Sequence, residues 1–190
     1  MARGFLLKNN FTKDTLLRIA TVGVFILAAS TSPYFFHEIV REYFKEKNGV
    51  AIRKRVRSLK NLERRKLISF KELTNGTVKI IILHRGRELI RQYNLEDMKL
   101  RKPNKWDKKW RLIIYDIPVK QKRASDAFRA KMKNLGLYQL QKSIWVSPYE
   151  CLSEIEFLCS VFNINMNECV FYFSTNEIPK KQEIEKFFDL

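Results

Sequence analysis

Apolar and polar positions recur with helical spacing over most of the first 66 residues and change period afterwards. The spacing predicts a first helix from Thr12, a residue suited to an N-cap, to about Ala29, where "STSP" breaks it. Pro33 suits the first turn of a second helix, "YFFHEIVREYFKEK". This helix gathers Phe36, Ile39, Val40 and Tyr43 on one face and ends at Asn48-Gly49. A third helix is expected from Val50 to Lys66. Its stripe of Ile52, Val56, Leu59 and Glu63, widened by Leu62, lies opposite Lys54, Arg57, Asn61, Arg64 and Arg65.

Two short runs then read as strands, "LISFKEL" and "TVKIIIL", with Asn75-Gly76 between them as a hairpin signal. "HRGRELIRQYN" follows as a short amphipathic helix. Three helices and a two-stranded ribbon, with the most basic helix directly before the ribbon, give the layout of a winged helix-turn-helix over residues 1–94. Residues 95–109 read as a polar, basic linker. From 110 the pattern is strand (110–117), helix (120–135, closed by Gly136), extended chain (137–148), helix (150–162), strand (169–174) and a helical tail. The fold class expected is therefore α+β: a winged helix-turn-helix followed by a ferredoxin-like sandwich over 110–190.

Charge sharpens this division. The chain of 190 residues carries a formal net charge of +17. Residues 1–110 hold 26 Lys+Arg against 10 Asp+Glu, and residues 111–190 hold 11 against 10. The basic half points to a polyanionic partner, double-stranded DNA, and the nearly neutral half suits folding and self-association. Leu112 and Ile114 on one face of the 110–117 strand, and Ile113 and Tyr115 on the other, leave both sheet faces apolar. Helices are expected over one face, and a partner chain or the winged helix over the other, hence a homodimer.

The uncharged run "IATVGVFILAA" (19–29), with Arg3 and Lys8 ahead, has features of a secretory leader. It is shorter than the ~20 apolar residues of a membrane span, and Asp14 and Arg18 lie close by, so a buried core helix is expected instead of a membrane anchor. Cys151, Cys159 and Cys169 have no zinc-site spacing and read as reduced thiols of a cytoplasmic protein. No cofactor or nucleotide motif is present, and no cofactor is expected.

Two motifs, "WDKKWRLIIYDIP" and "LGLYQLQKSIWVSP", together with a basic winged unit ahead of them, resemble the PaaX-like family of phenylacetate-catabolism repressors. The resemblance covers about residues 12 to 175. It implies a DNA-binding repressor whose middle unit is similar to the small ferredoxin-like CRISPR-associated endonuclease of the adaptation complex. The family's repressors carry a further C-terminal domain, and this sequence stops at Leu190, which leaves open whether it takes a small-molecule effector of their kind. Lys66 stands where winged helices often place Gly.

For DNA, Arg57 suits guanine and Asn61 suits adenine, while Lys54, Arg64 and Arg65 suit phosphates. Lys71, Lys79, Arg85 and Arg87 suit phosphate or minor-groove contact from the ribbon and its exit. Trp106 and Trp110 are expected to pack the linker on the second unit, and His37 and His84 to be structural. Asp116 has two readings. In the CRISPR-associated relatives an acid at this strand end is the proposed metal ligand, paired across a dimer axis, and would make a metal-dependent nuclease. The simpler expectation is a turn residue whose carboxylate accepts backbone N–H groups, with Pro118 starting the next helix. The expected function is a dimeric, sequence-specific repressor, with the nuclease as its alternative.

Overall fold

The first helix, α1, stops well short of Ala29. A computed structural model describes residues 10–21, 25–27, 34–74 and 77–190. In it α1 spans Asn10–Thr21 and Phe25–Leu27 form a strand, β1. The reason lies in the sequence: Phe25–Leu27 is an apolar run with an aromatic and a β-branched residue, which favours an extended chain once an edge is available to pair with. Thr12 is not the N-cap either. It is buried inside α1, where its hydroxyl meets that of Ser58 at 3.2 Å. The break at "STSP", the role of Pro33 and the Asn75-Gly76 turn lie outside the described residues. No helix among the described residues is long and apolar enough to cross a membrane.

Helix α2 (Phe35–Glu42) is shorter than its sequence period, and α3 spans Gly49–Arg64. Asn48 does not end α2; it caps α3, its side-chain oxygen accepting from the N–H groups of Val50 at 2.8 Å and Ala51 at 3.4 Å. Ile52, Val56, Leu59 and Leu62 are the buried stripe, and Glu63 faces solvent. Strands β2 (Ile68–Glu72) and β3 (Thr77–Ile82) pair antiparallel, and β1 adds to the other side of β3, giving the order β1-β3-β2. Helix α4 runs from His84 to Asp97, into the stretch expected to be linker.

Arg55 ties this unit together. Its side chain is 4% exposed and reaches Asp14 at 2.5 Å and Thr15 at 2.9 Å on α1, and Glu46 at 2.9 Å before α3. Phe11 and Phe44 lie over its guanidinium. Gly86 of α4 is fixed by contact: a Cβ there would stand 2.1 Å from the carbonyl oxygen of Leu67.

The chain divides into two compact units at Glu96/Asp97. The second contains β4 (Trp110–Tyr115), a 3-10 turn at Val119–Gln121, α5 (Lys122–Asn134), β5 (Tyr138–Gln141), β6 (Ile144–Ser147), α6 (Leu152–Phe162), the short α7 (Met166–Cys169), β7 (Val170–Thr175) and α8 (Lys181–Phe188). The sheet order is β5-β6-β4-β7, antiparallel throughout. The molecule is thus mixed α+β. The expected extended stretch resolves into the β5–β6 hairpin, and α7 was not expected. Gly136 closes α5 at φ +82°, as its position predicts.

On one sheet face Tyr115 meets Phe128 of α5, ring centroids 5.4 Å apart. On the other, Trp110 and Val146 pack with Ile178 and Ile184, flanked by Trp106 and Phe188. Cover for part of this second face therefore comes from α8 and Trp106 of the same unit, which the sequence left to another chain or to the winged helix. The amphipathic tail supplies it because Ile184 and Phe188 are four residues apart on one side of α8. Trp106 stacks edge-on to Trp110 at 4.7 Å, so these rings pack the preceding segment on the sheet. All three cysteines are free and buried.

Candidate nucleic-acid interface

Once Ile52, Val56, Leu59 and Leu62 turn inward, the opposite side of α3 is fixed. Lys54, Arg57, Asn61 and Arg64, spaced three, four and three, form one stripe. Arg57, Lys60, Asn61 and Arg64 line a shallow concavity on this surface. Arg64 donates to the side-chain oxygen of Asn61 at 3.4 Å, which leaves the amide's donor end directed elsewhere. The exposed Arg53 and Lys60 add two cations that the sequence reading did not single out. Lys60 sits over the Phe36 ring at 5.4 Å. Both were legible, since they follow from completing the helical wheel that places Ile52 and Leu59 inside.

Arg65 differs from its neighbours. It is half-buried, and one terminal guanidinium nitrogen is buried without a hydrogen-bond partner. It acts on Tyr93 of α4, whose phenol is raised in pKa by burial and lowered less by the Arg65 charge. The residue thus turns toward α4, while Arg64 is fully on the exposed side.

The ribbon presents a second cationic feature. Lys71 of β2 and Lys79 of β3 are directly opposed in the ladder, and both are exposed. Like charges in this relation destabilise a strand pair. Arg85 and Arg87 are exposed on the first turn of α4, and Arg87 donates to the carbonyl of Ile82 at 2.8 Å.

Asp116 lies just past β4 and is exposed. Its backbone N–H donates to the carbonyl of Cys169 at 2.8 Å. The expected capping role of its carboxylate is not what the turn uses: Pro118 is the N-cap of the 3-10 turn, with no side-chain cap. The concavity at Asp116 also contains Arg129, Lys142, Ser125, Ser143 and Phe171. Two cations beside one carboxylate oppose a divalent ion. Among the described residues no three His, Cys, Asp or Glu side chains converge to hold one. The residues of one chain therefore do not fit the metal that the strand-end acid would imply.

At the opposite end of β4, Arg111 is 7% exposed and forms a bidentate pair with Asp107, both bonds 2.7 Å. It also donates to Glu150 at 3.3 Å and to the carbonyls of Lys109 and Pro148. Tyr172 donates to Glu150 at 2.5 Å. This network fastens the segment before β4 to the α6 entrance and to β7.

Compared with known families, residues 103–186 match the model described as the PaaX protein central Cas2-like domain. The match falls within the second unit. No curated protein matches the chain.

Proposed function

We propose that the chain, whose residues 103–186 match the model described as the PaaX protein central Cas2-like domain, is a dimeric, sequence-specific double-stranded-DNA-binding protein acting as a transcriptional repressor. The observation that carries the reading is α3: a well-capped helix whose outer side bears Lys54, Arg57, Asn61 and Arg64 and whose inner side is locked by a buried apolar stripe. A helix of this kind fits the major groove, where Arg and Asn side chains read purine edges. The element order α1-β1-α2-α3-β2-β3 with sheet order β1-β3-β2 supports a winged helix-turn-helix, in which β2 and β3 form the wing. The opposed Lys71 and Lys79 then face the backbone beside the groove, with Arg85 at the wing's exit.

The order of strands and helices in the second unit, β-α-β-β-α-β, supports a ferredoxin-like sandwich that pairs two chains. Two symmetric copies would place two α3 helices on two half-sites. Selection of bound fragments from genomic DNA, followed by footprinting of the enriched sequence, tests the reading. A protected, inverted-repeat site is expected; enrichment of no sequence over random DNA would contradict specificity.

A further inference from the structure

The near-neutral charge of residues 111–190 conceals a strong segregation. Residues 118–142 carry seven Lys+Arg against one acid, Asp126, whereas residues 143–190 carry three Lys against eight Asp+Glu. The structure gives the two groups different surroundings. On α8, Lys180 pairs with Glu183 and Lys181 with Glu185, each at 3.8 Å. Around α5, the exposed Lys120, Lys122, Arg123, Lys133 and Lys142 form no ion pair among the described residues. The one pair there joins Arg129 to Asp126 at 3.4 Å.

These cations share a surface. Lys122, Asp126, Arg129 and Lys133 are spaced four, three and four, one stripe along α5, with Arg123 beside it. Arg129 and Lys142 line the same concavity, so the patch continues from α5 onto the β5–β6 turn. Ser125 and Ser143 line that concavity as well and add hydroxyl donors. Asp116 lines the same concavity and Asp126 pairs with Arg129, so carboxylates offset only part of this charge. The remaining cations repel one another, and a polyanion relieves that repulsion by taking the place of their counterions.

We infer that α5 and the β5–β6 turn form a second nucleic-acid surface, one that holds duplex backbone phosphates without reading bases. This goes beyond the reading of α3 and does not rest on it. An α5 stripe of about 16 Å, from eleven steps of about 1.5 Å between Lys122 and Lys133, spans several phosphates along one strand.

The test uses the full chain and a random-sequence duplex of about 40 base pairs, with affinity measured against salt. The variant K122Q/R123Q/K133Q/K142Q is expected to bind more weakly, with a log–log salt slope shallower by about 2 to 4. The variant K122R/K133R/K142R, which keeps the charge, is expected to retain the wild-type slope. K142Q alone is expected to lower the slope by about 1, which keeps the test decisive if the fourfold variant folds poorly. A wild-type slope in both K142Q and the fourfold variant would overturn the inference. If sedimentation then showed the fourfold variant losing self-association, the patch would belong to the acidic face of a second copy. R57A/N61A is measured alongside: affinity unchanged there but slope reduced in the α5 variant would sink the α3 reading and keep this one.

Discussion

Lys66 holds φ at +55°, the left-handed region that Gly adopts freely and Lys adopts at a cost. It follows the C-cap Arg65 of α3, and its N–H donates to Glu63 at 2.8 Å while that of Leu67 donates to Leu62 at 3.0 Å. Gly136 occupies the same place after α5, its N–H donating to Lys133 and that of Leu137 to Met132. The two helix ends share one motif, and only the first has a side chain at its strained position. Lys66→Gly is therefore expected to stabilise the first unit by ~1 kcal/mol, read from the urea midpoint at unchanged m-value; a loss of stability would contradict this. Arg57→Ala and Asn61→Ala are expected to weaken binding to the enriched site by about 1–3 kcal/mol each and binding to random DNA less, whereas Lys79→Ala should weaken both alike. Equal losses from Arg57→Ala on both DNAs would show that α3 does not read bases. At this scale the cations of α3 were legible, because helical spacing separates them from the apolar stripe. The inward turn of Arg65 and the burial of Arg55 were not, since a charged letter in a basic helix does not reveal that Asp14 and Glu46 are brought to it by other segments.

Elements that local spacing determines were readable; those completed by distant pairing were not. Helix α3 and the β2–β3 pair were placed within a residue or two, whereas β1 was absorbed into α1, because only its ladder with β3 decides that Phe25–Leu27 is a strand. Asn48-Gly49 reads equally as a helix end or a helix start, and the N–H groups it caps settle which. The segment before β4 illustrates stabilisation by a long-range device that sequence spacing did not suggest. The hydrogen bond from Arg111 lowers the Asp107 pKa from 3.8 to about 2, and Glu150 is lowered too, first through Tyr172. A carboxylate depressed in the folded state adds stability above its unfolded pKa and loses it as pH falls through the folded one. Stability from Asp107 should thus be complete above about pH 5 and fade toward pH 2, by less than ~1 kcal/mol because this carboxylate is half-exposed. Asp107→Asn is expected to flatten that acid limb in unfolding measured from pH 6 to 2. Identical acid limbs would assign the loss to other groups.

For the whole molecule, the division into a basic N-terminal unit and a second unit of different character follows from charge, and the family match to residues 103–186 agrees with the motifs that suggested it. The internal segregation of the second unit was hidden because opposite charges cancel in a sum. Its sheet also keeps an apolar strip that α8 does not cover: Phe171 is 63% and Phe173 45% exposed, on the same face as Leu112 and Ile114 in the β4–β7 register. A second chain over this strip is the expected dimer contact. Phe171→Glu/Phe173→Glu in the full chain should convert a sedimenting dimer to monomer, and an unchanged dimer would place the contact elsewhere. The central claim is that the basic unit grips duplex DNA, and equilibrium binding across salt tests it most directly. If about six phosphates are neutralised, log K should fall against log salt with a slope near −5, and R57A/N61A should lower the affinity. A slope near zero, or no binding at low salt, would contradict the account.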